Sequence, residues 1–411
     1  MTIRPEVESA FLRLNLKEGK YLLAFSGGPD SVYLLECLAV FYKEKLNQRI
    51  CLCYINYHDS PNVDEEEKIV NFYVDKYKLK LFRFDTRFRK GNFEEWARNY
   101  RYKKFAYIIK KKGMKALLTA HQKDDDSETY LLQKERGNLP AHYGLQEAAT
   151  LNGIKILRPL LSVSKEEIYS ELKENGYIYY EDITNHDSHT KRNVIRKELS
   201  SVERERLLDE KEAKNQELIK LYNSFVSIKY PVSFSLYDNL KEEAKRRLIF
   251  YLLDKEKTPS KRRTGLGKEI YEFLKKRTNS EMPLFKEKVL YKTKDYFFIH
   301  TDLKKLNYSF TYKHKKRYSN RFFSIDLTDI KKFNLLSLPV TIRNRREGDT
   351  ISTDLPTKDV KRFLKKQQVP YFLIDIYPVF EVDNQIRCVP FYKDIKNKSI
   401  PLDFKLLNPD S

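Results

Sequence analysis

The 411-residue chain carries 79 Lys and Arg against 58 Asp and Glu, a formal charge of +21 with a pI near 9.4. Such a length supports two or three domains, each with its own core, and such a charge favours polyanionic partners. No apolar run approaches the roughly 18 residues of a membrane helix, and Met1 to Lys17 mixes charged with apolar residues, so a membrane role is excluded and a cytoplasmic location expected. The apolar run Tyr21 to Phe25 predicts a buried strand. It is followed by Ser26-Gly27-Gly28-Pro29-Asp30-Ser31, and then by Leu35, Leu38, Ala39 and Tyr42 at i, i+3, i+4 and i+7, one face of a helix.

The hexapeptide therefore joins a strand's carboxyl end to a helix N-terminus, where free N–H groups and the helix dipole attract phosphate. Gly27 and Gly28 allow close approach of the backbone, and Pro29 is tolerated because an N–H near a helix start lacks a helical partner anyway. Ser26 and Ser31 offer hydroxyls, and the Asp30 carboxylate suits a metal riding on the phosphates. A plain glycine turn with a cap requires neither the serines nor the carboxylate. No GxxxxGK[ST] occurs, and no GxGxxG follows a strand, so a Walker loop and a dinucleotide fold are both unsupported.

Further strands are expected at Ile50 to Asn56, Lys80 to Phe84 and Ala116 to Ala120. Helices are expected at Glu65 to Tyr77, Phe93 to Lys112 and from Asp125 onward. This alternation, with near-continuously apolar strands, predicts an α/β fold with a doubly wound parallel sheet whose ligands lie at the strands' carboxyl ends. Cys37, Cys51, Cys53 and Cys388 are few and form no CxxC, so buried free thiols in a reducing compartment are expected. From about Glu203 the sequence becomes helical and highly charged, and from about Tyr308 it turns to short β-rich runs. Three domains are expected: 1–205, then a helical middle at 206–305, then a small α+β module at 306–411. Thr301 to Asn320 carries six Lys and Arg against Asp302, with Tyr308, Phe310, Tyr312 and Tyr318 interleaved, a pattern suited to RNA.

A second cluster, His121-Gln122-Lys123-Asp124-Asp125-Asp126-Ser127-Glu128-Thr129, follows the strand at Ala116. A helix starting near Asp124 places Glu128 on the face of Asp124 and Asp125. Carboxylates so spaced can hold Mg²⁺ against nucleotide phosphates, with His121 as proton carrier or phosphate donor. The helix dipole alone also favours acids in a first turn.

The loop resembles that of the N-type ATP pyrophosphatases (PP-loop proteins), written SGGxDS. With H-x-x-D-D-x-x-E-T downstream, the chain resembles the tRNA(Ile)-lysidine synthetases. Glu94, Ala97, Arg98, Arg101 and Tyr102 match that family's E-x-x-AR-x-x-RY helix. Arg136-Gly137, Gly144-Leu145 and Arg158-Pro159-Leu160-Leu161 match its next blocks. Glu181-Asp182, Asn185, Asp187 and then Arg192-Asn193-Val194-Ile195-Arg196 match its ED..N.D…RN.IR segment. Ile342-Arg343, Arg346, Gly348-Asp349, Lys361 to Leu364 and Pro378 resemble its C-terminal module. The chain departs from the pattern at Tyr54 to Ser60 (where relatives carry HVNHGLR), at Ile183, at Asn138-Leu139-Pro140, and at Ile374 or Asp375.

The resemblance implies ATP and Mg²⁺ as cofactors, and free L-lysine and a CAU-anticodon tRNA(Ile) as partners. The C2 carbonyl oxygen of the wobble cytidine would be adenylated, and the lysine ε-amine would displace AMP to give lysidine. Ser26, Gly27, Gly28, Pro29, Asp30 and Ser31 are then expected to bind ATP. Asp30, Asp125 and Glu128 would do metal and proton work with His121. Glu94, Arg98, Arg101, Arg192, Asn193 and Arg196 would meet tRNA or substrate. A homodimer is compatible with the sequence. Three alternatives remain open: tRNA thiolation by the same loop, amidation of a small molecule, and non-catalytic RNA binding.

Overall fold

A computed structural model describes residues 2–58, 63–88, 91–137, 139–181, 191–257, 260–312, 317–319, 323–326, 339–351, 357–389 and 404–406. The chain divides into two compact units, Met1–Lys220 and Leu221–Ser411.

In the first unit the elements are α1 (Pro5–Arg13), β1 (Tyr21–Ala24), α2 (Pro29–Tyr42), α3 (Leu46–Arg49), β2 (Ile50–Asn56), α4 (Val63–Tyr77), β3 (Lys80–Asp85) and α5 (Phe93–Lys112). They continue with β4 (Ala116–Leu118), α6 (Lys123–Glu135), β5 (Ala148–Leu151), β6 (Ile154–Leu157), α7 (Lys165–Glu174), α8 (Lys191–Glu198) and α9 (Ser201–Val226), whose last residues from Leu221 on belong to the second unit. The strands form one sheet in the order β3-β2-β1-β4-β6-β5, parallel except for β5 against β6.

Register explains why these strands are apolar throughout. Leu22 pairs with Cys51 and Leu117, and Leu117 pairs with Ile156. All four enter a core beneath Tyr102, Phe105, Ile108 and Ile109 of α5. One residue further along, Leu23, Leu52, Leu118 and Leu157 face the opposite way, into a core shared with α1, α2, α4 and α7. Both faces are covered, so neither set alternates with polar residues. Helix α2 lies so deep that Ser31 to Leu38 are all buried, and its apolar face widens to most of its surface. Local signals set the helix ends. Asn92 accepts from the Glu95 N–H at 3.0 Å to start α5, and Gly113, at φ +60°, closes it with an N–H bond to the Ile109 carbonyl.

Strand order reverses direction between β1 and β4. The chain after β1 passes to α2 while the chain after β4 passes to α6, and the diverging loops leave a crevice at the strands' carboxyl ends. Both sequence clusters fall there.

In the second unit, β7 (Val232–Ser233), α10 (Phe234–Asp238), α11 (Glu242–Lys255), α12 (Ser260–Lys275), β8 (Ser280–Pro283), β9 (Lys288–Lys292) and β10 (Tyr296–Thr301) combine helices with a sheet ordered β7-β10-β9-β8. The remaining elements are β11 (Ser309–Thr311), β12 (Arg317–Ser319), β13 (Phe323–Asp326), β14 (Thr341–Asn344), β15 (Thr350–Ile351), β16 (Lys358–Asp359), α13 (Val360–Lys366), β17 (Pro378–Val382), β18 (Gln385–Cys388) and β19 (Phe404–Leu406). They make sheets ordered β11-β14-β17-β18-β15-β16 and β12-β13-β19. Leu290, Phe297 and Ile299 pack among α11 and α12, while Val289, Tyr291 and Phe298 on the other face join the β-rich core. Arg343, which is 5% exposed, is tied to Asp349 at 2.8 and 3.0 Å and to Glu381 at 2.8 Å, so this part of the C-terminal pattern holds the module together. Asp375, at the position where the family pattern fails, pairs with Arg345. Among the described residues no helix is long and apolar enough to cross a membrane.

Candidate active site

The Ser26 loop is built as its composition requires. Phe25 donates its N–H to the Cys53 carbonyl at 3.0 Å, the last sheet bond before the turn. Gly27 stands at φ +74°, and its carbonyl accepts from the Tyr180 N–H at 2.8 Å. Gly28 then caps α2 with extended backbone, and no side chain caps the helix. The Ser31 hydroxyl donates to the Gly28 carbonyl at 2.9 Å and lies 3.4 Å from the Ser26 hydroxyl. The Gly28 N–H donates to the Ser26 hydroxyl at 3.3 Å, and the first turn of α2 has no capping side chain, an arrangement that suits an anion at a helix N-terminus.

Asp30, in the first turn of α2, has an unusual setting. Its Oδ1 is buried and has no hydrogen-bond partner among the described residues. Burial first, and then the facing Asp125, push its pKa up to about 7, against the opposing pull of Lys165 and Arg196.

Asp125 arrives from β4 and α6. His121 follows β4, its Nδ1 2.9 Å from the Thr119 hydroxyl. Gln122 caps α6 by accepting from the Asp124 N–H, and Asp125 Oδ2 reciprocates by accepting from the Gln122 N–H at 3.2 Å. The other Asp125 oxygen accepts from Arg196 Nη2 at 2.9 Å, and Glu128 accepts from Arg196 Nε at 2.8 Å. Burial opposes the Arg196 charge, but Glu128 and Asp125 outweigh it and hold the guanidinium above its ordinary pKa. The other acids of this turn have their own partners. Asp124 accepts from the Lys165 N–H at 3.2 Å and faces Arg204, and Asp126 binds Lys211 and the Leu145 N–H, each at 2.5 Å.

A cavity of about 440 Å³ opens between these elements. Ser26, Asp30, Ser31, His121 and Asp125 line it together with Tyr57, Arg98, Arg101 and Tyr102. Glu128 and Arg196 border a second cavity of about 420 Å³, with Asp124, Lys165, Glu166, Tyr169, Glu181 and Arg204. Glu94 is exposed at the start of α5 and lines neither. The side chains of Arg192 and Asn193, the segment Asp182 to Asp187 with Ile183, and Lys313 to Lys316 lie outside the described residues.

The PP-loop domain family matches residues 3–203. The tRNA(Ile)-lysidine synthase of Mesoplasma florum is 40% identical over 185 residues, covering 44% of this chain and 45% of that protein. Its counterpart from Mycoplasma mycoides is 35% identical over 243 residues, covering 58% of each chain. That of Malacoplasma penetrans is 30% identical over 307 residues, covering 71% of this chain and 98% of that protein. The chain belongs to the tRNA(Ile)-lysidine synthase family. The matched stretch spans about half the length of the first two relatives.

In a family member with this loop, a metal set of Asp30, Asp125 and Glu128 can be tested against position. Asp30 and Asp125 share the first cavity, while Glu128 faces the second. Among the described residues no three His, Cys, Asp or Glu side chains are grouped to hold a metal. Two carboxylates with one unpartnered oxygen still fit Mg²⁺, which commonly takes one or two protein carboxylates and completes its shell with phosphates and water. Sequence reasoning missed Lys165, Arg204 and Tyr57. Lys165 had a signal: it follows the Ser164 cap of α7, where the dipole disfavours a cation, so its place invites an explanation.

Proposed function

We propose that this protein uses ATP to join free lysine to C2 of the wobble cytidine in a CAU-anticodon tRNA(Ile), in the cytoplasm. The observation carrying this reading is that one cavity is lined both by the Ser26 loop and Asp125 and by Arg98 and Arg101, in a member of the lysidine synthase family.

The uncapped α2 N-terminus and the Ser26 and Ser31 hydroxyls hold the β- and γ-phosphates as a unit. That leaves the α-phosphorus open to attack by the cytidine C2 carbonyl oxygen, with pyrophosphate leaving. A carbonyl oxygen is a poor leaving group, and adenylation turns it into a good one. The lysine ε-amine then attacks C2, AMP departs, and the amine's proton is lost. Asp30 and Asp125 would hold Mg²⁺, which when bound supplies positive charge against the triphosphate. Arg98 and Arg101, which line the same cavity, contact phosphate or RNA backbone. His121, which lines the same cavity, is placed to take up the proton lost by the amine. The second unit serves to grip tRNA.

Thiolation is disfavoured by the cysteines. All four are buried, and burial pushes the Cys53 and Cys388 thiols up to about 12 and raises Cys37 and Cys51 as well, so none is poised as a thiolate. The test is incubation with ATP, labelled lysine and CAU-anticodon tRNA. Label in the RNA with stoichiometric AMP and pyrophosphate is expected; ADP with orthophosphate, or unlabelled RNA, would overturn the reading.

A further inference from the structure

Five aromatic rings gather around the first turns of α5, and one of them, Tyr57 just after β2, lines the first cavity. Tyr57 stands edge-on to Phe93 at 5.8 Å and to Trp96 at 5.9 Å. Phe88 lies 5.5 Å from Phe93 and 5.3 Å from Trp96, and Trp96 stacks on Tyr100 at 5.7 Å. A cluster serving only as core would be buried, yet each of the five keeps part of its surface exposed. Tyr57 lines the cavity itself, beside Arg98 and Arg101. Helix α5 carries seven Lys and Arg against Glu94 and Glu95, and Lys104 sits 5.1 Å over the Tyr100 ring. Tyr57 also falls where the chain departs from its family's sequence pattern.

Half-exposed rings set among cations, one of them lining the cavity assigned to ATP under the proposed function, suit a planar partner on an anionic backbone. An apolar peptide would gain nothing from the cations. We infer that Tyr57, Phe88, Phe93 and Trp96 form a platform on which an unpaired RNA base stacks, one that neighbours the nucleotide held in the cavity. Arg98, Arg101 and Lys104 meet the backbone beside it. The inference rests on the proposed function and adds to it how the single strand is held in place.

Trp96 is the only tryptophan in the chain, so its emission reports on this surface directly. The full-length protein is titrated with a CAU-anticodon stem-loop RNA, without ATP or lysine. Stacking should quench Trp96 saturably. A stem-loop made abasic at the loop positions flanking the wobble cytidine should bind about tenfold more weakly, with an unchanged salt slope and little quenching. Phe93→Leu and Trp96→Leu should weaken binding of the intact loop similarly, and Trp96→Phe should restore most of it. If the Leu variants unfold, the abasic RNA on the unmodified protein still decides. Equal affinity for abasic and intact loops, or unquenched Trp96 at saturating RNA in a protein that does label tRNA with lysine, would overturn the platform while leaving the function standing. A protein that neither binds the loop nor labels tRNA would remove the function first.

Discussion

Replacing Asp30 by Asn should stabilise the nucleotide-free protein while abolishing its activity. In the fold the Asp30 carboxyl titrates at about 7 in place of 3.8, because burial and Asp125 both penalise its charge. At about 1.4 kcal/mol per pH unit, that displacement amounts to about 4 kcal/mol. Asp30 faces a cavity open to solvent, which makes this an upper limit. The folded pKa lies above the unfolded one, so protonation favours the fold. The contribution is intact below pH 3.8 and is lost as the pH rises through about 7. Asn mimics the protonated carboxyl at every pH and removes the loss. Urea unfolding of both proteins should therefore show the variant's advantage growing by roughly 2–3 kcal/mol between about pH 5 and pH 8. Adenylation should fall by roughly a hundredfold or more, the usual cost of one such electrostatic group. A gap that stays flat with pH, or a variant less stable at pH 8, would refute both the burial and the opposition of Asp125.

Arg196→Met should strip the cation from Asp125 and Glu128 and cost about 2–3 kcal/mol in thermal unfolding, with part recovered by adding Glu128→Gln; an additive double variant would show that the three do not act as one group. Gly27→Ala forces a side chain into φ +74° with its Cβ 3.4 Å from Ile69, so unfolding free energy should drop by roughly 1–2 kcal/mol, while Gly28→Ala stays within about 1 kcal/mol of the parent. Equal losses at the two glycines would contradict the loop's backbone assignment. A chain cut after Ser200 or Glu205 loses Lys211 from Asp126 and Asn215 from Tyr143, so it should melt well below one cut after Val226. Scanning calorimetry of the two pieces decides this. The longer piece should keep ATP binding yet bind tRNA roughly tenfold or more weakly than the full chain, with a shallower salt slope.

Sheet and loop were legible because their signals are local. Leu22, Leu23, Cys51 and Leu52 announce strands buried on both faces, and a strand followed by glycines and a helical face announces a phosphate loop. The sheet β7-β10-β9-β8 within the charged stretch was not legible. Its edge strand, Ser280-Glu281-Met282-Pro283, has no apolar alternation, and β7 is two residues long. Such strands exist because β9 and β10 offer them hydrogen-bonding edges, a tertiary cause. The acidic turn was half legible. Helical spacing put Asp125 and Glu128 on one face, and Arg196 joins them there. That Asp125 lines one cavity while Glu128 lines another, beside Lys165 and Tyr169 of α7 and Arg196 of α8, depends on residues far along the chain.

Asp30 shows where sequence reading stops. Its helix, its turn and its closeness to an anion site all follow from residues within a few positions. Its elevated pKa does not. It arises first from burial, and then because β1 and β4 are neighbours in the sheet, so that a first-turn carboxylate of α2 meets one from α6 across the crevice where strand order reverses. Each helix N-terminus favours its own acid, and the two together disfavour each other's charge. A cation held by both carboxylates, as in the proposed function, would relieve that repulsion. If the pair that costs the free protein stability is also the pair that holds the metal in the proposed reaction, the stability gained by Asp30→Asn at pH 8 and the activity it loses should appear together.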